Sequence, residues 1–333
     1  MQSNLQLTAT FATNFFITSA GTYNGLFYPS GDVAEETSGL LYNLVLRNTG
    51  AFSGNLLLTG NHYPFSTNFD VSGQAAFHAG PFQVDLNLDS TNLQITGTVS
   101  SSQWTANAAS NTLPSAEYTM IFSASTNVSA DSPPGDGYAL LTNNNGVVTL
   151  SGAMADGTSF SQTVPVSLAG DVPVYAVLYT NVAHASPGLL LGWINLTNLQ
   201  AAAPSNELTW VKKALPLPAI YTNGFTNVLS GLGSLWTNQP PTSLTNGDLV
   251  ISNADLFLNF TNIVVTGNTL SNLGGIPSNY LTGAINPKTG LLTIAFGNGN
   301  TTNHATAAVL QNISTAGGFF LTRTNAASVI LQP

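Results

Sequence analysis

Phe82-Gln83-Val84-Asp85-Leu86-Asn87-Leu88-Asp89 puts an apolar side chain at nearly every second position and a polar one between each pair. Successive side chains of a β-strand point to opposite faces, so this octapeptide reads as a strand with one greasy face and one wet face. Asp85 and Asp89 share the wet face with Gln83 and Asn87, which makes them solvated surface rather than a catalytic carboxylate pair. Comparable runs, each ending in Gly, Asn or Asp, recur about every ten residues, while helical periodicity is almost absent. Eight of them lie between residues 20 and 110: Thr22–Tyr28, Leu40–Arg47, Ala51–Thr59, His62–Asp70, Gln74–Ala79, Phe82–Leu88, Leu93–Val99 and Gln103–Asn107. Eight strands suffice for an up-and-down sheet to close on a core of side chains. The fold class expected is all-β, an antiparallel meander forming two barrel-like or sandwich-like domains.

The first domain is expected over 20–110 and the second over 111–333, with 1–19 as an N-terminal strand or linker. In the second part, runs at Tyr138–Leu141, Val147–Met154, Phe160–Val166, Val172–Tyr179 and Leu189–Leu196 precede a stretch, 200–245, that carries Pro216, Pro218, Pro240 and Pro241. So many prolines suggest an irregular crossover. Strands resume at Asp255–Asn259 and continue through Tyr280–Ile285, Leu291–Phe296, Ala305–Gln311, Phe319–Thr322 and Ser328–Leu331. These complete the second domain, with an independent third domain as the alternative. Asn48-Thr49-Gly50, Asn145-Gly146 and Thr289-Gly290 each read as a tight turn opening the same hairpin-based unit.

Only 14 Asp and Glu and 5 Lys and Arg occur in 333 residues, 6% of the chain, where soluble proteins usually carry roughly a quarter. Arg47, Lys212, Lys213, Lys288 and Arg323 form no stripe that could follow a phosphate backbone, so nucleic acid is not an expected partner, and the same sparseness argues against an anionic membrane surface. With no cysteine there is no disulfide, thiol nucleophile or thiolate-held metal. Thr, Asn and Ser wet a β-surface without ions, a composition expected of an extracellular or cell-surface protein. No apolar run approaches the length of a membrane helix. The start shows no export signal, since Leu5–Phe11 alternates like a strand, and the expectation is that upstream domains of a longer polypeptide precede it.

The familiar catalytic signatures are missing: no G-x-S-x-G elbow, P-loop or H-E-x-x-H occurs. His62, His78, His184 and His304 lie far apart and read as ordinary side chains rather than ligands. Asp32, Glu35 and Glu36 form the densest acidic patch, between the first two strands, and are candidates for ligand binding. Neighbours on a strand point to opposite faces, so Glu35 and Glu36 reach one ligand only from a loop. Asp131 and Asp136 flank a Pro-Gly turn and offer oxygens of the kind Ca²⁺ takes, though without the every-second-residue acids of an EF-type loop. No other cofactor is expected. Trp104, Trp193 and Trp236 are candidates for a sugar-stacking surface, although aromatic residues in strands are ordinarily core.

Gly21-Thr22-Tyr23-Asn24-Gly25-Leu26-Phe27, Gly50-Ala51-Phe52-Ser53-Gly54, Gly192-Trp193, Val309-Leu310-Gln311 and Gly318-Phe319-Phe320-Leu321 together resemble the C-terminal β-rich region of very large surface or secreted proteins of environmental bacteria, in which immunoglobulin-like or repeat domains lie upstream. The barrel pattern is also similar, at the level of fold, to barrel lobes of bacterial surface lipoproteins that bind host proteins. These motifs punctuate strands and transfer no site residue. Composition, the missing export signal and the absence of catalytic motifs together imply a non-enzymatic surface or secreted module of structural or adhesive type that contacts glycans or cell-surface proteins. The alternatives are a carbohydrate-active enzyme on a β-scaffold and an outer-membrane β-barrel.

Overall fold

The computed structural model describes residues 14–100, 102–109, 113–124, 131–180, 188–200, 206–215, 220–238, 247–273, 280–298 and 301–333. One helical turn, α1 (Phe16–Ser19), precedes β1 (Gly21–Tyr28), β2 (Gly39–Leu46), β3 (Ala51–Leu58), β4 (Asn61–Asn68), β5 (Gln74–Ala79), β6 (Phe82–Asp89), β7 (Gln94–Val99) and β8 (Ser102–Ala108). Successive strands pair antiparallel except β4 with β5, and β1 also pairs with β8, as in Tyr23 opposite Ala108. The eight runs expected from alternation are these eight strands, and in β6 Val84, Leu86 and Leu88 are buried while Asp85 and Asn87 are exposed. The strand expected at Leu5–Phe11 lies outside the described residues.

A second sheet repeats this connectivity with β9 (Ala116–Ala124), β10 (Gly137–Asn144), β11 (Val147–Ala153), β12 (Ser159–Pro165), β13 (Asp171–Leu178), β14 (Gly188–Asn195), β15 (Glu207–Lys212) and β16 (Phe225–Trp236), and β9 pairs with β16. A third unit is a closed barrel of β17 (Gly247–Ser252), β18 (Phe257–Thr266), β19 (Thr269–Asn272), β20 (Leu281–Ile285), β21 (Leu291–Asn298), β22 (Thr301–Leu310), β23 (Thr315–Leu321) and β24 (Ala326–Gln332). The chain therefore holds three eight-stranded units where two are expected. The stretch 200–245 is not an irregular crossover throughout. It contributes β15 and β16, and the four prolines that suggested a crossover lie outside the described residues. Alternation in β16 is hard to see because Gly231 and Gly233 occupy inward positions, where Met120 and Leu199 fill the space. Of the three turns read as one repeated unit, Gly50 and Gly146 join the second and third strands of their units, whereas Gly290 joins the fourth and fifth of the barrel.

Each unit buries its own core. Tyr23, Phe27, Leu41, Phe52, Leu56, Ile95 and Trp104 fill the first, Phe122, Leu141, Leu150, Val164 and Trp210 the second, and Ile251, Ile263, Leu292, Phe296 and Val329 the third. Outside the barrel, Thr261, Thr266, Thr282 and Thr293 are exposed. The first two units differ from the barrel at the seam between their fourth and fifth strands, which do not pair. The first seam is filled by rings, with Phe65 of β4 and Phe77 of β5 at 5.0 Å and Tyr63 and Phe82 edge-on at 5.3 Å. The second is spanned by one side chain: the Gln162 amide donates to Pro173 O (3.0 Å) and accepts from Tyr175 N (2.8 Å), replacing two ladder bonds across β12 and β13.

Coiling a sheet into so narrow a tube forces adjacent backbones together at glycines. A Cβ on Gly97 would lie 1.9 Å from Asp85 O, and one on Gly318 2.0 Å from Thr306 O. Gly97→Ala is expected to destabilise the first unit by about 2–4 kcal/mol because the neighbouring strand must move. Gly21→Ala, whose Cβ meets nothing within 4 Å, is expected to stay within about 0.5 kcal/mol of the parent. Denaturant unfolding of the two variants checks both.

Candidate functional site

Where the alternation of these strands breaks down, units touch. β1, β2, β13 and β14 carry consecutive apolar residues, so they bury both faces. Leu26 and Leu40, paired across β1 and β2, turn away from their own core and join Tyr175, Leu189, Leu191 and Val211 of the second unit in a shared apolar cluster, with half-buried Trp193 beside it. The loop before β2 hangs over this cluster. Lys213, at the end of β15, reaches back to it: Nζ lies 3.0 Å from Glu35 Oε2 and also bonds Glu36 Oε1. The loop thus does what a strand forbids and aims both carboxylates at one point. That point is a cation of the neighbouring unit. Glu35 is 4% exposed, whereas Glu36 and Asp32 are exposed. The ammonium holds the Glu36 carboxyl below its ordinary value, and the same bond raises Lys213. At the opposite end the two units join again through Leu168 N donating to Ala108 O (2.9 Å) and a bridge between Ala109 and Ser167.

The tryptophans do not assemble into one platform. Trp104 is 2% exposed in the first core, where its indole N–H donates to Gly25 O at 3.1 Å, and Trp193 lies at the first joint. Trp236 is 3% exposed and pins the end of β16 into the barrel, donating to Pro287 O at 2.9 Å over Gly290, where a Cβ would lie 2.8 Å from the ring. The second joint continues with Thr119 Oγ1 donating to Val309 O (2.5 Å) and the Tyr138 ring stacked on Phe319 at 6.1 Å.

Asp131 and Asp136, the calcium candidates, part company. Asp131 is exposed and accepts from Asn223 Nδ2 at 3.2 Å. Asp136 is packed against the barrel, its N–H donating to Gly318 O (3.1 Å) and its carboxylate so close to Gly317 that a Cβ there would meet Oδ2 at 2.7 Å. Burial pushes the Asp136 carboxyl up to about 6, with the Ser123 hydroxyl partly opposing it. Among the described residues no three His, Asp or Glu side chains gather to hold a metal ion. His62, His78 and His304 are exposed, and His184 lies outside the described residues.

One polar cluster escaped the sequence. The Tyr179 hydroxyl donates to Asp156 Oδ2 (2.7 Å) and accepts from the Trp210 indole N–H (3.1 Å), while Asp156 Oδ1 takes the Thr158 N–H (3.0 Å). Lys212 is 3% exposed, with Nζ 4.7 Å from the centre of the Tyr179 ring and no hydrogen-bond partner among the described residues. Desolvation lowers its proton affinity against the pull of Asp156, and desolvation, reinforced by the Asp156 charge, raises the Tyr179 hydroxyl. The ring face stands in for a counter-ion at the ammonium. The signal was parity: Leu208, Trp210 and Lys212 share the inward face of β15, so adjacent Lys213 must point the other way, toward the first unit.

An open cleft of about 630 Å³ lies at one mouth of the barrel, between the 253–256 and 322–325 turns. A smaller one of about 440 Å³ lies along β5, β6 and β7 beside Asp70 and Asp85. Comparison of the chain with protein-family profiles, with curated proteins and with solved structures finds no match in any of the three.

Two outcomes follow for the joints. Lys213→Met leaves Glu35 buried without its cation, and is expected to weaken the first joint by about 2–4 kcal/mol, read as separate unfolding transitions for the first unit and the remainder. At the second joint the folded state favours protonated Asp136. Its stabilisation is therefore full below the ordinary value of 3.8, falls as pH rises, and is gone above about 6. Asp136→Asn, which keeps the shape without the titration, should flatten the thermal stability profile across that window, a change of up to about 3 kcal/mol.

Proposed function

We propose that the chain is a non-enzymatic extracellular or cell-surface module that serves as a stiff spacer and presents its neutral polar strands and loops to glycans or proteins. The observation that carries this reading is the use made of the scarce reactive side chains. Glu35, Glu36 and Lys213 clamp the first unit to the second, and Trp236 and Asp136 pack the second against the third. In a chain with 6% charged residues, their placement at joints favours mechanical continuity over chemistry. The surface between the joints is wetted by hydroxyls and amides, which suits neutral hydrogen-bonding partners better than ionic ones. The two alternatives fit less well. A glycosidase needs two carboxyls flanking an open site, and Glu35 is buried beneath its cation. A lipid-embedded barrel carries its apolar band outside, whereas Ile251, Ile263, Leu292 and Val329 point inward here and threonines outward.

The deciding experiment incubates the full chain, Glu35→Gln and Glu36→Gln with a panel of soluble polysaccharides and follows reducing-end release. All three proteins are expected to be inert. Turnover by the parent that disappears in a folded Glu35→Gln variant would establish the enzyme instead.

A further inference from the structure

We infer that the mouth of the closed barrel is a saccharide-binding site, with Asp255 and Arg323 as its polar contacts and Phe320 as its floor. This rests on the reading of the chain as a glycan-contacting module and names the place where contact occurs. The cleft there, about 630 Å³, falls in the size range of small-ligand sites, which favour barrel mouths and junctions between units. The first of these holds, and the 322–325 turn of the lining is braced by the second unit, where the Tyr221 hydroxyl donates to Asn325 Oδ1 and accepts from Ala326 N at 2.9 Å.

The rim is held in place by its own bonds. Asn253 Nδ2 donates to Ala326 O (3.0 Å) and Asn253 Oδ1 accepts from the amides of Asp255 (2.9 Å) and Leu256 (2.8 Å), while Thr322 Oγ1 accepts from Asn325 N (2.9 Å) and donates to Asn325 O (2.9 Å). These side chains are occupied in fixing the two turns. Asp255 and Arg323 are different: both are exposed, and neither side chain makes an ion pair or hydrogen bond among the described residues. An acid and a cation thus line one cleft without neutralising each other, in a chain with only 5 cations. Below them Phe320, 8% exposed, rests edge-on against buried Phe296 with ring centres 5.1 Å apart.

That arrangement matches a pyranose. A carboxylate accepts from adjacent hydroxyls and a guanidinium donates to ring and hydroxyl oxygens, while the accessible edge of Phe320 supplies an apolar contact at the base. A rigid rim limits the ordering cost of binding. Asn303 and Thr324 add further amide and hydroxyl groups to the lining, more polar partners than the two charges of a free amino acid require, which favours a sugar.

The test uses the full chain in native affinity electrophoresis and titration calorimetry with soluble β-glucan, xylan, galactan and alginate, and with an equimolar amino-acid mixture. Expected is retardation by at least one polysaccharide, weakened about tenfold or more in Asp255→Asn and Arg323→Gln. Lys288→Gln, at the opposite end of the barrel, should bind as the parent does. Thermal unfolding confirms that the exposed substitutions leave the fold intact. Polysaccharide binding unchanged in both rim variants would overturn this site and leave glycan contact standing elsewhere on the molecule. Absence of binding to any polysaccharide would remove the glycan reading with it, and binding of amino acids alone would overturn the ligand class.

Discussion

The pairing of a unit's first strand with its eighth is the constraint on which everything else depends. It occurs three times, β1 with β8, β9 with β16 and β17 with β24, and it turns a ribbon of local hairpins into a tube with an inside. Once the tube is closed, alternation of side chains divides greasy from wet without any need for ions on the outer face. Closure also brings strands so close that glycine is required at crowded points such as Gly97 and Gly318. The remaining freedom lies opposite the closure, at the seam between the fourth and fifth strands, which aromatic rings fill in one unit, a glutamine amide bridges in another and hydrogen bonds seal in the barrel.

Strands that abandon alternation explain how three tubes become one body. A strand buried on both faces needs a second partner beyond its own core, and β1, β2, β13 and β14 find it in one another. Some of the few charged groups sit at or near joints between units, each with a consequence set by solvent, while others such as Arg47, Asp70 and Asp85 lie exposed on outer faces. Lys213 stays partly wet and gains proton affinity from Glu36, buried Lys212 loses it, and half-buried Asp136 holds its proton longer. One adjacent pair of lysines therefore splits into a clamp and a buried amine because successive strand residues face opposite ways.

Much of this was legible in the residues. The eight strands of the first unit follow from alternation in strands such as β6, from short apolar runs in β1 and β2, which bury both faces, and from Gly-Asn punctuation between them. The second unit was harder, because β16 places glycines at inward positions and its periodicity fades, and because prolines on both sides of it suggest irregular chain. The third unit's separate identity depends on β17 closing against β24, a pairing between distant residues that no local pattern encodes. The acidic patch at Glu35 and Glu36 was visible as unusual, but its partner, Lys213, is 177 residues away, and proximity across that separation is a property of packing. The rim formed by Asp255 and Arg323 was invisible for the same reason: two turns far apart in sequence meet only when the barrel closes.

Closure by the last strand also sets an order of events during synthesis. Tyr118 of β9 finds its partner Leu235 only after more than a hundred further residues have been made, so a growing chain holds a half-built sheet with a bare leading edge until the eighth strand emerges from the ribosome. Hairpins form early, because their contacts are local, and the seal comes last and slowly. A nascent unit therefore spends its most adhesive period while tethered, which places a premium on chaperone cover or on slow delivery of the next unit.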